Sequence, residues 1–127
     1  MQPLRTILYY DTNIEIVADT VFSLREKGGL DVFVYASYDE SLPELSTLKP
    51  DMILVGAQIL DLSAVELIHK LRTYDNLMQT PAVVYTRENL DKDIVARNDV
   101  GIIDVLKKPM RGSDLIIRLH ELWGEAR

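Results

Sequence analysis

Lys49-Pro50-Asp51-Met52-Ile53-Leu54-Val55-Gly56 is the stretch that decides the fold. A Lys-Pro break and an acid precede four consecutive apolar residues, and a glycine follows them. A strand with one wet face alternates apolar and polar residues. An unbroken apolar run of this length, bounded by breakers, reads as a parallel strand covered on both faces. Covering both faces requires helices on each side, so the rest of the chain should alternate strands with helices.

It does. Upstream, Thr6–Tyr10 and Asp31–Tyr35 read as strands. Between them Ile14, Val17, Val21 and Leu24 recur at a helical period, with Thr12 and Glu15 spaced as a capping box and Gly28-Gly29 as the stop. A short helix before Lys49 is expected to open at Ser41, with Pro43 in its first turn and Glu44 closing the box. Downstream, Ser63 and Glu66 form another box opening a helix with Val65, Leu67, Ile68 and Leu71. Pro81 precedes the strand Ala82–Thr86. A polar, weakly helical stretch covers roughly residues 90–98, and Gly101 precedes the strand Ile102–Leu106. The last helix spans about Ser113 to Trp123, with Leu115, Ile116, Leu119, Leu122 and Trp123 inward. Five strand–helix pairs predict a flavodoxin-like (βα)5 α/β fold. It is a doubly wound parallel sheet of strand order 2-1-3-4-5, forming a single three-layer domain over residues 1–127.

Composition narrows the function. Of 127 residues, 47% are apolar, enough for one core, and 27% are charged, which argues against disorder. The net charge of −6 and the lack of a Lys/Arg cluster speak against unaided nucleic-acid binding. The absence of cysteine removes disulfides, thiolate metal sites and a Cys nucleophile. There is no run of the roughly 20 apolar residues a membrane span needs, and the early Asp11 does not suit a signal peptide, so a cytoplasmic location without membrane contact is expected. No glycine-rich nucleotide loop occurs. No cofactor is expected.

In such a fold, reactive groups lie at the carboxyl ends of the strands. Those ends read Tyr10-Asp11-Thr12, Val55-Gly56-Ala57, Tyr85-Thr86 and Leu106-Lys107-Lys108-Pro109. Together with Lys49–Val55, Pro81–Thr86 and the interval from Gly101 to Lys108-Pro109, they resemble the receiver domains of two-component response regulators along essentially the whole chain. The resemblance implies a Mg²⁺-dependent pocket. Two acids after the first strand and an acceptor Asp after the third hold the metal, and the Asp takes the phosphoryl group. A Ser/Thr and a Lys after the fourth and fifth strands grip its oxygens.

Carried over residue by residue, Asp11, Thr86 and Lys108 match that pattern, but Thr12 replaces the second acid and Gly56 replaces the acceptor. The position of the family's aromatic switch is Val105. The family's Pro-Asp-x-x-Gly turn reads Leu60-Asp61-Leu62-Ser63-Ala64, without its Pro and Gly. The resemblance also implies a cis bond before Pro109.

The plain readings stand beside these. Asp11 is expected to pair with Lys108, Thr12 to cap the first helix, Asp61 to be a solvated acid, and His69 and His120 to lie at the surface. The chain is therefore expected to act without a metal or catalytic residue, as a degenerate, pseudo-receiver type of interaction module. Its partner would be a protein, an output domain of a longer chain, or a second copy. The face of the fourth helix, fifth strand and fifth helix is implied, with Arg97, Asp104, Val105, Ile117 and Arg118 as contact candidates. Two other functions compete. One is a phosphorelay receiver with a non-standard acceptor. The other is a haloacid-dehalogenase-type phosphohydrolase built on Asp11, Thr86 and Lys108, against which Asn13 stands where that family has a second Asp.

Overall fold

The computed structural model describes residues 2–91 and 99–126. Its strands and helices, in chain order, are β1 (Thr6–Tyr10), α1 (Ile14–Phe22), β2 (Asp31–Tyr35), α2 (Tyr38–Ser41), β3 (Met52–Val55), β4 (Gln58–Ile59), β5 (Leu62–Ser63), α3 (Ala64–Leu71), β6 (Ala82–Thr86), β7 (Ile102–Lys107) and α4 (Gly112–Glu125). Five strands form one sheet in the order β2-β1-β3-β6-β7, every neighbouring pair parallel. This is the predicted order 2-1-3-4-5, because β4 and β5 are a separate antiparallel hairpin inserted after β3.

Side-chain alternation along β3 explains the three layers. Ile53 and Val55 pack with Leu67, Ile68 and Leu71 of α3 on one side of the sheet. Met52 and Leu54 pack with Leu115, Leu119 and Leu122 of α4 on the other. All four β3 side chains are fully buried, as the apolar run required.

Several helix starts differ from expectation. Asn13, and not Thr12, caps α1, its side chain accepting from Ile16 N at 3.4 Å. Ile14 thereby becomes the first helical residue and stands 83% exposed, while Ile16, Val17 and Val21 carry the inward face. The α1 helix runs on through a π-helical turn, Ser23–Lys27, before Gly28 and Gly29 end it. Ser37 caps α2 by accepting from Glu40 N at 3.1 Å. Ser41 cannot cap, because its buried hydroxyl accepts from Tyr10 Oη and donates to Tyr38 O, both at 2.6 Å. The Ser63–Glu66 capping box is present as predicted. The polar helix expected near residues 90–98, including Arg97, lies mostly outside the described residues.

β7 carries a bulge. Ala82 pairs with Ile102 but Val83 pairs with Asp104, so Ile103 is the extra residue and the strand's facing changes there. This turns the Asp104 side chain towards α4. The hairpin turn Leu60-Asp61 holds Leu60 at φ 57°, a left-handed conformation that glycine adopts far more readily.

Candidate functional site

Four of the five receiver positions stand at the carboxyl ends of the sheet's strands. Asp11 follows β1, Gly56 follows β3, Thr86 ends β6 and Lys108 follows β7. Asp11 is 5% exposed and Lys108 is 8% exposed. Lys108 Nζ forms an ion pair and hydrogen bond with Asp11 Oδ2, as the sequence led us to expect. The same oxygen accepts from Tyr9 Oη at 2.8 Å, and Asp11 Oδ1 accepts from Asn13 N at 3.2 Å. Lys108 Nζ also lies 5.5 Å from the centre of the Tyr85 ring. The Lys108–Pro109 bond is cis, as the resemblance implied.

Thr86 is buried, and its hydroxyl accepts from Glu88 N at 3.0 Å, which makes it a support for the following loop. Lys108 N donates to Thr86 O at 2.8 Å and so locks the two strand ends together. Thr12 is exposed. Gly56 is buried, and a Cβ built there would stand 3.3 Å from Asp11 Oδ1. The position therefore faces the cleft, but it brings no side chain to it.

Magnesium needs several oxygens in near-octahedral array. Here one carboxylate is available and both of its oxygens are already engaged by protein donors. Among the described residues no group of three or more Asp, Glu, His or Cys side chains could hold a metal ion. The donor set does not fit the ion.

Sequence reasoning missed the tyrosines. Tyr9 and Tyr85 are fully buried, and Tyr9 Oη donates to Asp11 Oδ2. Burial first, then the neighbouring Asp11 carboxylate, push the ionisation of Tyr9 far above the usual range, so its hydroxyl keeps its proton. Burial likewise raises Tyr85, whose Oη accepts from Met110 N at 2.9 Å. A signal was available. Residues two apart on a strand share a face, so Tyr9 must point the same way as Asp11, and a buried phenol needs a partner.

On the far edge, Asp104 is 4% exposed and accepts from Arg118 NH2 at 2.9 Å. That contact raises the pKa of the Arg118 guanidinium, which also reaches Glu121 and Glu125. Asp104 thus offers little surface of its own and instead orients Arg118. Ile117 is 58% exposed beside it, and Val105 is half-buried. Asp61, His69 and His120 are exposed. No helix among the described residues is long and apolar enough to cross a membrane.

Comparisons with known proteins agree with this architecture. Residues 7–120 match the response regulator receiver domain family. The chain is 31% identical over 115 residues to the KDP operon transcriptional regulatory protein KdpE of Escherichia coli K12, covering 86% of this chain and 50% of that protein. It is 26% identical over 118 residues to the alkaline phosphatase synthesis transcriptional regulatory protein PhoP of Bacillus subtilis 168, covering 93% and 48%. The chain thus spans about half the length of these curated relatives. Among solved structures, a CheY-like receiver domain protein from Methanospirillum hungatei JF-1 superposes with TM-score 0.80 at 22% identity, over 97% of this chain and 96% of that one. The receiver domain of sensor histidine kinase PA1611 from Pseudomonas aeruginosa PAO1, solved with magnesium in its active-site cleft, gives TM-score 0.78 at 21% identity, over 95% and 98%. At such identities these likenesses speak to the fold. With the fold, the strand-end residues and the match over most of its length taken together, the chain belongs to the response regulator receiver domain family.

Proposed function

We propose that this receiver domain signals by protein–protein contact without accepting a phosphoryl group, and is not an enzyme. The observation that carries the reading is Gly56, a residue with no side chain at the acceptor position, beside an Asp11 whose oxygens are committed to Lys108, Tyr9 and Asn13. Phosphoryl transfer depends on positioned charge around an acceptor and a metal, and neither requirement is met. The contact face is β7 with α4, where Ile117 is exposed, Val105 is half-buried and Arg118 is oriented by Asp104. A mixed polar and apolar surface of this kind suits a modest, reversible interface. The partner is a protein, an output domain in a longer chain, or a second copy of the domain. Nucleic acid is not contacted by this domain alone, in keeping with its net charge of −6.

Two measurements test this. Incubation with acetyl phosphate and Mg²⁺ should change neither the intact mass nor the amide NMR spectrum; a gain of one phosphoryl group refutes the reading. Ile117→Asp should abolish partner binding or self-association with nearly unchanged melting temperature, while His69→Glu on α3 should not. Arg118 and Arg72 are unsuitable for this comparison. Arg118 holds buried Asp104, and Arg72 donates to Val100 O and Leu77 O.

A further inference from the structure

Position 9 deepens this reading and rests on it. We propose that Tyr9 is a third determinant, beside positions 12 and 56, that closes the pocket to divalent cations by taking the coordination space of Asp11. Tyr9 Oη donates to Oδ2 at 2.8 Å, the oxygen that also receives Lys108. Oδ1 is held by Asn13 N at 3.2 Å. The carboxylate is therefore bonded by three donors and needs no cation to satisfy it.

Packing does not require that hydroxyl. The Tyr9 ring sits among Ile7, Leu54, Val83 and Leu115, a setting that phenylalanine would fill equally well. Through that hydroxyl Tyr9 presents a donor to Asp11 Oδ2. Restoring acids at the other two positions leaves this contact intact. Thr12 is exposed, and a Cβ at position 56 approaches Oδ1, not the Oδ2 that Tyr9 occupies.

The test compares Mn²⁺ binding, read by electron paramagnetic resonance, in two variants. One is Thr12→Asp with Gly56→Asp; the other adds Tyr9→Phe. A hydrogen bond to a charged group contributes enough that the triple variant should bind at least about tenfold more tightly. Equal affinities overturn the proposal, and so does an absence of binding in both. If either variant fails to fold by circular dichroism, NMR of the wild-type protein decides. A Tyr9 hydroxyl proton protected from exchange and coupled to Asp11 supports the assignment, and one exchanging freely with water overturns it. Phosphorylation of the wild-type protein would sink the functional reading above and leave this comparison standing.

Discussion

Breaking the Asp11–Lys108 pair from each side should give unequal losses. Both side chains are nearly inaccessible, at 5% and 6%, so solvent cannot screen whichever charge is left behind. Removing one partner of a buried pair generally costs about 3–5 kcal/mol. Lys108→Met leaves Asp11 with two donors, Tyr9 Oη and Asn13 N, and should fall below that range, at about 2 kcal/mol. Asp11→Ala leaves Lys108 with the Tyr85 ring at 5.5 Å, a contact worth on the order of 1–2 kcal/mol when desolvated. It should therefore cost about 3–4 kcal/mol. The double variant should lose less than the sum, with a coupling of at least about 1 kcal/mol. Urea unfolding at unchanged m-value is the assay. In a domain of 127 residues, the larger loss corresponds to a melting shift on the order of 10–15 °C. If both single variants stay within about 0.5 kcal/mol of wild type, the pair is not buried in solution and the strand-end assignments are wrong. If Lys108→Met is the worse of the two, the role given to Tyr9 and Asn13 fails.

Four further outcomes follow from local geometry. Gly112→Ala places a Cβ 2.3 Å from Ser23 Oγ and 2.6 Å from its Cβ, so it should destabilise by roughly 1–3 kcal/mol, and Ser23→Gly should rescue it in thermal unfolding. Ser63→Ala should cost about 1 kcal/mol by removing the α3 cap. Hydrogen bonds from Ser63 hold the folded-state pKa of Glu66 below its ordinary value. The Glu66 share of the box is therefore present above the unfolded-state pKa and lost as pH falls through the folded one, so Glu66→Gln and wild type should converge in acid. Leu60→Gly relieves the backbone at φ 57° and should be neutral to stabilising by about 1 kcal/mol in chemical unfolding; a clear loss would mean that the Leu60 side chain is held by packing.

The sheet was legible because the requirement is crude. A central parallel strand must be apolar on both faces, and Met52–Val55, Ala82–Thr86 and Thr6–Tyr10 meet that condition without help from context. Helix starts were harder because short polar signals compete. Ser37 with Glu40 and Ser41 with Glu44 share the capping spacing, and only the fold reveals that the hydroxyl of Ser41 is consumed by Tyr10 and Tyr38. Thr12 and Asn13 compete in the same way at α1. The Asp11–Lys108 contact could be anticipated once fold and resemblance put both residues at strand ends, because an unpaired buried charge is costly. The tyrosine partners were not, since a tyrosine in an apolar strand looks like core until its hydroxyl is traced. The bulge that turns Asp104 towards Arg118 has no pattern signal in Gly101–Leu106.

The same energetics tie Asp11 to Lys108 whatever stands at position 56. Each buried charge is the solvation of the other, so losing either alone strands its partner. The neighbouring groups extend the logic. Thr86 Oγ1 accepts from Glu88 N, Lys107 Nζ donates to Arg87 O and, at 2.7 Å, to Asn89 Oδ1, and Tyr85 Oη accepts from Met110 N. These neighbouring polar groups thus hold the strand-end loops together. Shifting a two-state domain from one conformation to the other takes a ligand whose preference is worth about 5.5 kcal/mol, and a small anion meets Lys108 Nζ already paired with Asp11. A partner pressing on Ile117 meets an exposed apolar side chain, with Arg118 held beside it by Asp104. On this reading the β7–α4 face is presented in one fixed arrangement, and any switching must come from the partner's own preference between states.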